Sequence, residues 1–548
     1  MSTTHTTQLL QQPESDHVWY LVPLAAQTAH AQQSGALLLS DGNHIQVIAT
    51  TSNAAAPSPD LQPLFADHSR LFVCAQAKPC LLQLLYINLQ VARPVCLDTL
   101  HQLIYNESPQ WLQQIAHNTQ QACALVKRMQ ACLQQLLPQL KQHKLQRVAR
   151  LECLVLPAFA RMQHVGLPID TAAWRSVLQQ LQQQQHAAKQ QVLQHAGALV
   201  KSDLFGQQQF NLNNNQQLKQ LLQQLLQKPV ANVSQERLRG MVDEHPMISQ
   251  LLQYRELAKL TQTYGEHFLE HVNPTTGRIH GCWQPLGTNT GRAICHSPNL
   301  QNLPTRQDFR RCVQAPQGYL LITADYAACE LRIMASLSQD EHFLQAFAQN
   351  RDLHSEVATR LFGVPVNKQT NTHLRKQAKT ITFGLLYGMG NHSLARQLHM
   401  SPPQAQQLMQ RYFAAHPQLK AYLDNSAQQA LKQGYARSLL GRRLMLQSTH
   451  STDRGHMQRV ARNMPIQATG ADMLKLAMLR LHERIVKQCP QTQLVNTIHD
   501  ELLLCCPQDS AQTVQQWVQQ EMLQAQQDLL PHVQPQVDTH VGPFWNHS

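Results

Sequence analysis

Two apolar segments that end on acidic residues constrain this chain more than any other feature. Tyr319-Leu320-Leu321-Ile322-Thr323-Ala324 runs into Asp325-Tyr326, and Leu494-Val495-Asn496-Thr497-Ile498 runs into His499-Asp500-Glu501, followed by Leu502 to Cys506. Short apolar runs of this kind predict buried strands, each delivering a carboxylate at its end. If the two strands are neighbours in one sheet, Asp325 and Asp500 converge on a point where two oxygen-seeking cations bind. That is a geometry for metal-assisted phosphoryl transfer.

The 548 residues, 43% of them apolar, supply core for several domains. A formal net charge of +12 favours a polyanionic partner, although a moderately basic soluble protein gives the same number. The 13 Cys fall in no paired metal-ligand spacing, and Cys505 and Cys506 sit in an apolar strand, so thiols in a reducing cytoplasm fit best. Met1 to His17 is polar, with no basic region leading into an apolar run, and no stretch reaches 18 consecutive apolar residues. Secretion and membrane spanning are not expected.

Val18 to Leu24, Ala36 to Leu39 and Ile45 to Ile48 predict strands, with helical periodicity after Leu71, which together describe a small α/β domain. From Arg150 onward, Leu151 to Met162 predicts an apolar helix. The Gln-rich segment Trp174 to His195 keeps a helical apolar stripe at Trp174, Val177, Leu178 and Leu181. Further helices are expected from about Ala328 to Ser336, at the Ser401-Pro402-Pro403-Gln404 capping signal, and from Ala471 to Gln488.

Arg375, Lys379, Phe383 and Tyr387 recur every four residues, which places them within an arc of roughly 120° on one helix face. Two cations followed by two aromatics suit a triphosphate at one end and a base at the other; a solvated basic patch is the bland alternative. Gly384, Gly388 and Gly390 beside Tyr387 predict a close approach by a backbone or ligand.

Asp325-Tyr326-Ala327-Ala328-Cys329-Glu330-Leu331-Arg332, the Arg375 to Gly388 helix and His499-Asp500-Glu501 resemble, in order and spacing, the three polymerase motifs of family A DNA polymerases. Thr290-Gly291-Arg292, Pro298 to Pro304, Asp352-Leu353-His354, Gly441-Arg442-Arg443-Leu444 and Arg459-x3-Asn463-x3-Gln467 extend the resemblance, as do Phe210-Asn211-Leu212 and Tyr254 to Leu260. It covers roughly Leu151 to the C-terminus.

The resemblance implies a multidomain α/β and α+β protein with a right-hand architecture. Residues 151–548 would form the polymerase, with a thumb from about 165 to 290, a palm from about 291 to 337 and 431 to 548, and fingers from about 338 to 430. Asp325, the Tyr326 carbonyl and Asp500 would hold two Mg²⁺ ions, for which Mn²⁺ can substitute, with Glu501 and Lys379 joining the catalytic set. Arg375, Lys379, His354, Phe383 and Tyr387 would contact the incoming deoxynucleotide, and Glu330 would exclude a ribose 2′-hydroxyl. Arg292, Asn302, Arg459, Asn463, Gln467 and His499 would hold primer–template DNA. A monomer in the cytoplasm, at a bacterial nucleoid or a phage or plasmid replisome and served by replication or repair accessory proteins, is the implied setting. Ala327-Ala328-Cys329 stands where Ser-Gln-Ile is more usual, which puts sugar discrimination in doubt. A non-catalytic DNA-binding descendant and a lesion-bypass or RNA-templated enzyme are the alternatives.

Residues 1–150 are expected to form a vestigial, ribonuclease H-like 3′-5′ exonuclease domain. Proofreading relatives need four carboxylates there, yet this region holds only Glu14, Asp16, Asp41, Asp60, Asp67, Asp98 and Glu107. None lies in Val18 to Thr28 or in the expected closing helix Gln113 to Gln130, and Gln76 and Cys80 stand where an Asn and an Asp belong. Loss of proofreading is the implied outcome. No 5′ nuclease region is recognised, so flap removal is expected to fall to another protein.

Overall fold

The computed structural model describes residues 18–24, 36–41, 44–49, 61–86, 89–114, 116–199, 210–446 and 453–546; Glu14, Asp16, Asp60 and the polar start of the chain lie outside them. The first sheet takes the order β3-β2-β1-β4-β5, from strands β1 (Val18–Leu24), β2 (Ala36–Ser40), β3 (Ile45–Ala49), β4 (Leu71–Cys74) and β5 (Pro94–Cys96). β1, β2 and β3 pair antiparallel, while β4 and β5 add in parallel. Sequence patterning finds the first three and misses β4 and β5. Both are short and buried on both faces, so they show no alternation to distinguish them from helix. Helix α1 (Ala77–Tyr86) follows β4. The expected closing helix begins later than Gln113, at α2 (Thr119–Gln142), because Asn118 caps it by accepting from Gln121 N at 2.9 Å.

The apolar helix expected over Leu151 to Met162 is two helices, α3 (Gln146–Leu154) and α4 (Leu156–Val165). Pro157, in the first turn of α4, forces the break. Leu167–His280 with Leu303–Ala315 form one compact unit, and the remaining residues form the other. In the first of these, β6 (Leu167–Pro168), β7 (Val272–Asn273) and β8 (Arg278–Ile279) form a small sheet, the Gln-rich segment is helix α5 (Thr171–Ala196), and Asp170 caps it by accepting from Ala172 N and Ala173 N at 2.9 Å. Its apolar stripe is buried as predicted. Trp174 stacks on Phe268 at 5.0 Å and meets the edge of Phe309 at 4.9 Å, while Val192 and Leu193 join Leu222, Ile248 and Leu251 in a core shared with α6 (Asn215–Leu226) and α7 (Pro246–Tyr264).

The other unit contains a hairpin of β9 (Cys282–Gln284) and β10 (Ile294–His296), and a four-stranded antiparallel sheet. That sheet has the order β14-β15-β11-β16, from β11 (Tyr319–Tyr326), β14 (Gln493–Ile498), β15 (Glu501–Pro507) and β16 (Val537–Gly542). The two strands that lead into Asp325 and Asp500 are therefore not neighbours, as the sequence reading supposed. β15, the return strand of the second segment, lies between them. Helices α8 (Cys329–Ser338), α9 (Leu353–Phe362), α10 (Thr372–Leu386), α11 (Pro402–Ala415) and α12 (Pro417–Gln433) separate β11 from a small hairpin, β12 (Tyr435–Arg437) and β13 (Arg443–Met445). α11 starts at the expected capping box, with Gln404 Oε1 accepting from Ser401 N at 2.9 Å. Helix α13 (Arg454–Gln488) starts 17 residues earlier than the expected Ala471 and runs 35 residues through Pro465 and Gly470. Met464, Ile466 and Ala468 are buried, and a Cβ at Gly470 would stand 3.5 Å from Ile333 of α8. Tertiary packing thus carries a helix across residues that read as breakers.

A fully buried charge cluster ties these elements together. Arg442 Nε and Nη2 donate to Asp472 Oδ1 at 2.9 and 2.6 Å, and Nη2 also donates to Glu152 of α3. Lys475 Nζ donates to Glu152 Oε1 at 2.6 Å, and Ser438 Oγ donates to Asp472 Oδ2 at 2.7 Å. Two cations and two carboxylates balance, which is what makes their burial tolerable. Replacing Asp472 with Ala leaves Arg442 half-compensated in the interior; we expect a loss of about 3–5 kcal/mol, measured as the shift of the urea unfolding midpoint at constant m-value.

Candidate active site

The sheet register assembles the acidic site. Asp325 lies directly opposite Glu501 on one side and Asp538 on the other, so the three carboxylates form a row on one face of the sheet. Asp500 occupies the turn between β14 and β15, and Tyr326 N donates to its carbonyl at 3.4 Å. The Tyr326 ring points to the opposite face, where its hydroxyl donates to the Met522 carbonyl of α14 (Ala511–Leu529) at 3.1 Å. Burial, and then the charge of Asp325, push Asp500 up to about 6. A divalent cation between the two carboxylates would relieve that repulsion, so the donor chemistry fits one. Among the described residues no group of three or more His, Cys, Asp or Glu is arranged to hold a metal. Two carboxylates completed by substrate phosphate oxygens are, however, a common set for Mg²⁺.

Glu501 is held differently from Asp500. It is buried and accepts from Trp545 Nε1 at 2.6 Å. Neither Trp545 nor Asp538 was legible in the sequence, since only the strand register brings the chain's C-terminal segment against this row. Arg332 secures that segment: Nε donates to Ala327 O at 2.9 Å, Nη2 donates to Gln536 Oε1 at 2.6 Å, and its guanidinium lies 4.3 Å from the Phe347 ring centroid.

Glu330, in the first turn of α8, accepts from Arg292 Nη2 at 3.0 Å and from the Tyr387 hydroxyl. One carboxylate therefore joins a residue of the β9–β10 loop to the end of α10. Of the residues that replace Ser-Gln-Ile, Ala328 is exposed in the left-handed region at φ 50°, and Cys329 is buried against Gly470. Substitution here therefore alters packing behind Glu330 and leaves its hydrogen bonds in place.

Helix α10 ends at Leu386, so of the three glycines only Gly384 is helical. Gly388 adopts φ 72°, and a Cβ there would stand 2.7 Å from Arg459 Cγ, the close backbone approach expected from sequence. Gly390 has nothing within 4 Å of a Cβ and marks only the start of the next helix. Arg375 Nε and Nη2 donate to Asp352 at 2.7 and 2.8 Å, while Lys379 is exposed on the same helix. His354 packs 5.6 Å from Phe383, and burial holds its imidazole down to about 4, with Arg375 and Lys379 adding to the effect. It is neutral at pH 7.

Arg459, Asn463 and Gln467 recur at four-residue spacing on α13, and Asn463 Nδ2 donates to the Tyr387 carbonyl at 3.4 Å. His499 occupies the Asp500 turn at φ 53°, its imidazole pushed down by burial and then by Arg292. Asn302 is exposed at the end of a 3-10 turn (Leu300–Asn302) anchored to β14 through Asn496 Nδ2 to Leu300 O at 3.2 Å and Gln301 Nε2 to Thr497 O at 3.3 Å. The Arg292–Glu330–Tyr387 bridge thus joins the neighbourhood of Asp500 to the end of α10, and Asn463 joins α13 to the same point.

Residues 173–547 match the family model described as DNA polymerase family A. The chain belongs to that family. DNA polymerase I of Caldicellulosiruptor bescii is 32% identical over 405 residues, covering 71% of this chain and 46% of that protein. The thermostable DNA polymerase I of Thermus aquaticus is 33% identical over 403 residues, covering 70% and 46%. The chain thus spans about half the length of the curated relatives it matches. The POL domain of Pol1 from M. smegmatis, in complex with DNA primer-template and dNTP, superposes with a TM-score of 0.80 at 26% identity, covering 96% of this chain and 95% of that one. The fold is that of a family A polymerase domain.

The Asp352–Arg375 pair makes a pH-dependent contribution. Asp352 is held well below the usual carboxylate range despite its burial by Arg375 and by Ser355. A depressed folded pKa stabilises above the unfolded value of about 3.9 and loses that stability as pH falls. Wild type should therefore exceed Asp352→Asn in urea stability at pH 7, and the gap should close progressively below about pH 4.

Proposed function

We propose that this chain is a template-directed DNA polymerase that adds deoxynucleotides to a primer 3′-hydroxyl and does not proofread. The observation that carries the reading is the convergence of Asp325 and Asp500 on one end of the antiparallel sheet, with Asp500 pushed up to about 6 by burial and by Asp325. Asp325, Asp500 and the Tyr326 carbonyl would hold two Mg²⁺ ions, which when bound lower the pKa of the primer hydroxyl and neutralise charge on the triphosphate. Divalent-metal dependence is general in the family.

The chain's own groups do the positioning. Lys379 projects from α10 toward solvent as a free-standing cation for the triphosphate, and Arg375 shares its guanidinium between Asp352 and that ligand. His354, neutral at pH 7, offers a hydrogen bond rather than a charge. Phe383 and Tyr387 frame the sugar and base, and Glu330, held by Arg292 and Tyr387, closes the space beside the sugar C2′. Glu501, tied to Trp545, sets the turn that carries Asp500. Arg292, Asn302, Arg459, Asn463, Gln467 and His499 are the proposed contacts to primer–template DNA, and the compact unit of Leu167–His280 with Leu303–Ala315 is the proposed thumb, in place of the unbroken 165–290 expected from sequence. A monomer working on DNA in the cytoplasm completes the reading.

Residues 1–150 are proposed to keep an exonuclease-like sheet without its chemistry. Three antiparallel strands followed by two parallel ones support the fold assignment. Of the described acids of this region, three are engaged locally: Asp67 accepts from Ser69 and Arg70, Asp41 from His44, and Asp98 from Gln102, while Glu107 is exposed. Cys80 is buried on α1.

Primer extension tests the polymerase assignment. Asp325→Ala and Asp500→Ala should each lower single-turnover incorporation by about 10³-fold or more, as the loss of several kcal/mol of charge stabilisation requires, while primer–template affinity changes little. Wild-type-like extension by either variant would refute the metal assignment. Incubation of a 3′-labelled single strand with Mg²⁺ or Mn²⁺ should leave it intact, and shortening abolished by substitutions within residues 1–150 would overturn the loss of proofreading.

A further inference from the structure

Arg442 and Arg443 are adjacent in sequence and opposite in electrostatic fate. Arg442 is neutralised inside the protein by Asp472 and Glu152. Arg443 faces the other way, into a groove of about 840 Å³ lined among others by His143, Lys144, Tyr422, Tyr435 and Arg437, with no Asp or Glu among its lining residues. The guanidinium carbons of Arg437 and Arg443 lie 5.4 and 5.2 Å from the Tyr435 ring centroid. Arg443 Nη1 donates to His143 Nδ1 at 3.1 Å, and Arg437 Nη2 donates to the His143 carbonyl at 3.2 Å. The first bond makes Nδ1 an acceptor, so His143 is a neutral imidazole carrying its proton on Nε2. Arg443 Nε is buried with no hydrogen-bond partner, and burial followed by the Arg437 charge pushes Arg443 down. Two guanidiniums held side by side against one aromatic ring, without a carboxylate, are arranged for an anion supplied from outside.

We propose that this groove is a second nucleic-acid site, binding the phosphodiester backbone of single-stranded polynucleotide outside the catalytic cleft. The inference rests on the polymerase reading above. Arginines beside a half-buried aromatic ring serve a strand with both phosphates and bases better than free phosphate does. The groove also adjoins the proposed active site's own elements. Pro465, on its wall, belongs to α13 between Asn463 and Gln467, and Leu337 and Ser338 end the helix that begins beside Glu330. Ser338 stands eight residues after Glu330 on α8, so the groove lies about 12 Å from Glu330 along that helix. At about 3.4 Å per nucleotide of stacked strand, a strand needs more than about three nucleotides to reach it.

The test compares fluorescence-anisotropy affinities for primer–templates carrying a 2-nucleotide template overhang, a 15-nucleotide template overhang, or the 2-nucleotide overhang plus a 15-nucleotide displaced flap. Wild type should bind a long-armed substrate about tenfold more tightly than the 2-nucleotide one. The doubly substituted Arg437→Gln, Arg443→Gln protein should lose that gain, with the slope of log K against log salt on the long-armed substrate reduced by about 1.4, or about 0.7 per phosphate contact. Lys144→Gln, at an exposed position, should reduce the slope by about 0.7 without disturbing the fold. A variant-sensitive gain with the overhang identifies the template strand as occupant, and one with the flap identifies the displaced strand. No gain from either arm in wild type, or a gain that survives all the substitutions, overturns the proposal. Extension of the 2-nucleotide substrate by wild type is the separate control, since its failure would sink the polymerase reading itself.

Discussion

The cluster of Glu152, Arg442, Asp472 and Lys475 is the constraint on which the arrangement of this unit depends. Its four charges come from α3, the β12–β13 turn and α13, and all are sealed from water. Buried ions are costly unless paired, so these segments are held where the four charges can pair. The cluster also reaches the proposed DNA-facing surface. Gly291 lies against the Arg442 guanidinium at φ 82°, and a Cβ there would stand 2.5 Å from Arg442 Cζ. Only a glycine allows the chain to pass so close, and the next residue is Arg292, which bonds Glu330.

The proposed reaction centre treats charge in the opposite manner. Where the interior cluster balances two cations against two carboxylates, the end of β11 gathers Asp325, Asp500, Glu501 and Asp538 with Arg292 nearby. Asp500 bears the cost as a raised pKa. An imbalance of this kind is stable only because a rigid sheet and a buried Trp545–Glu501 bond hold the carboxylates in register. A raised carboxylate pKa of this kind is what the proposed cation site would produce.

The N-terminal sheet illustrates how fold and chemistry separate. Leu21, Leu37, Leu38, Leu39, Phe72 and Val73 are fully buried, so the sheet has ample reason to persist whatever its surface residues do. It remains joined to the rest of its unit through side chains such as Lys78, whose ammonium donates to Gln163 Oε1 at 2.9 Å and to the Trp283 carbonyl of β9. Packing of this kind would persist in a domain that, as proposed, no longer carries catalytic acids.

By itself the sequence determined the chemistry available. The resemblance in motif order and spacing singled out Asp325, Asp500, Glu330, Arg375, Lys379, Tyr387 and the α13 face as candidates, and helix and strand periods fix which of these side chains share a surface. Local signals also located the α11 capping box and the buried stripe of the Gln-rich helix. What was not legible depended on distant segments meeting. The insertion of β15 between the two acidic strand ends, the passage of α13 through Pro465 and Gly470, the Trp545–Glu501 bond and the Asp538 register all belong to this class. Only tertiary structure decided them, because cross-strand register and close helix packing are set by total burial rather than by any local run of residues. The same holds for Arg442 and Arg443, which are alike in sequence. One was turned inward to complete a neutral core, and the other was left facing a groove without an acid.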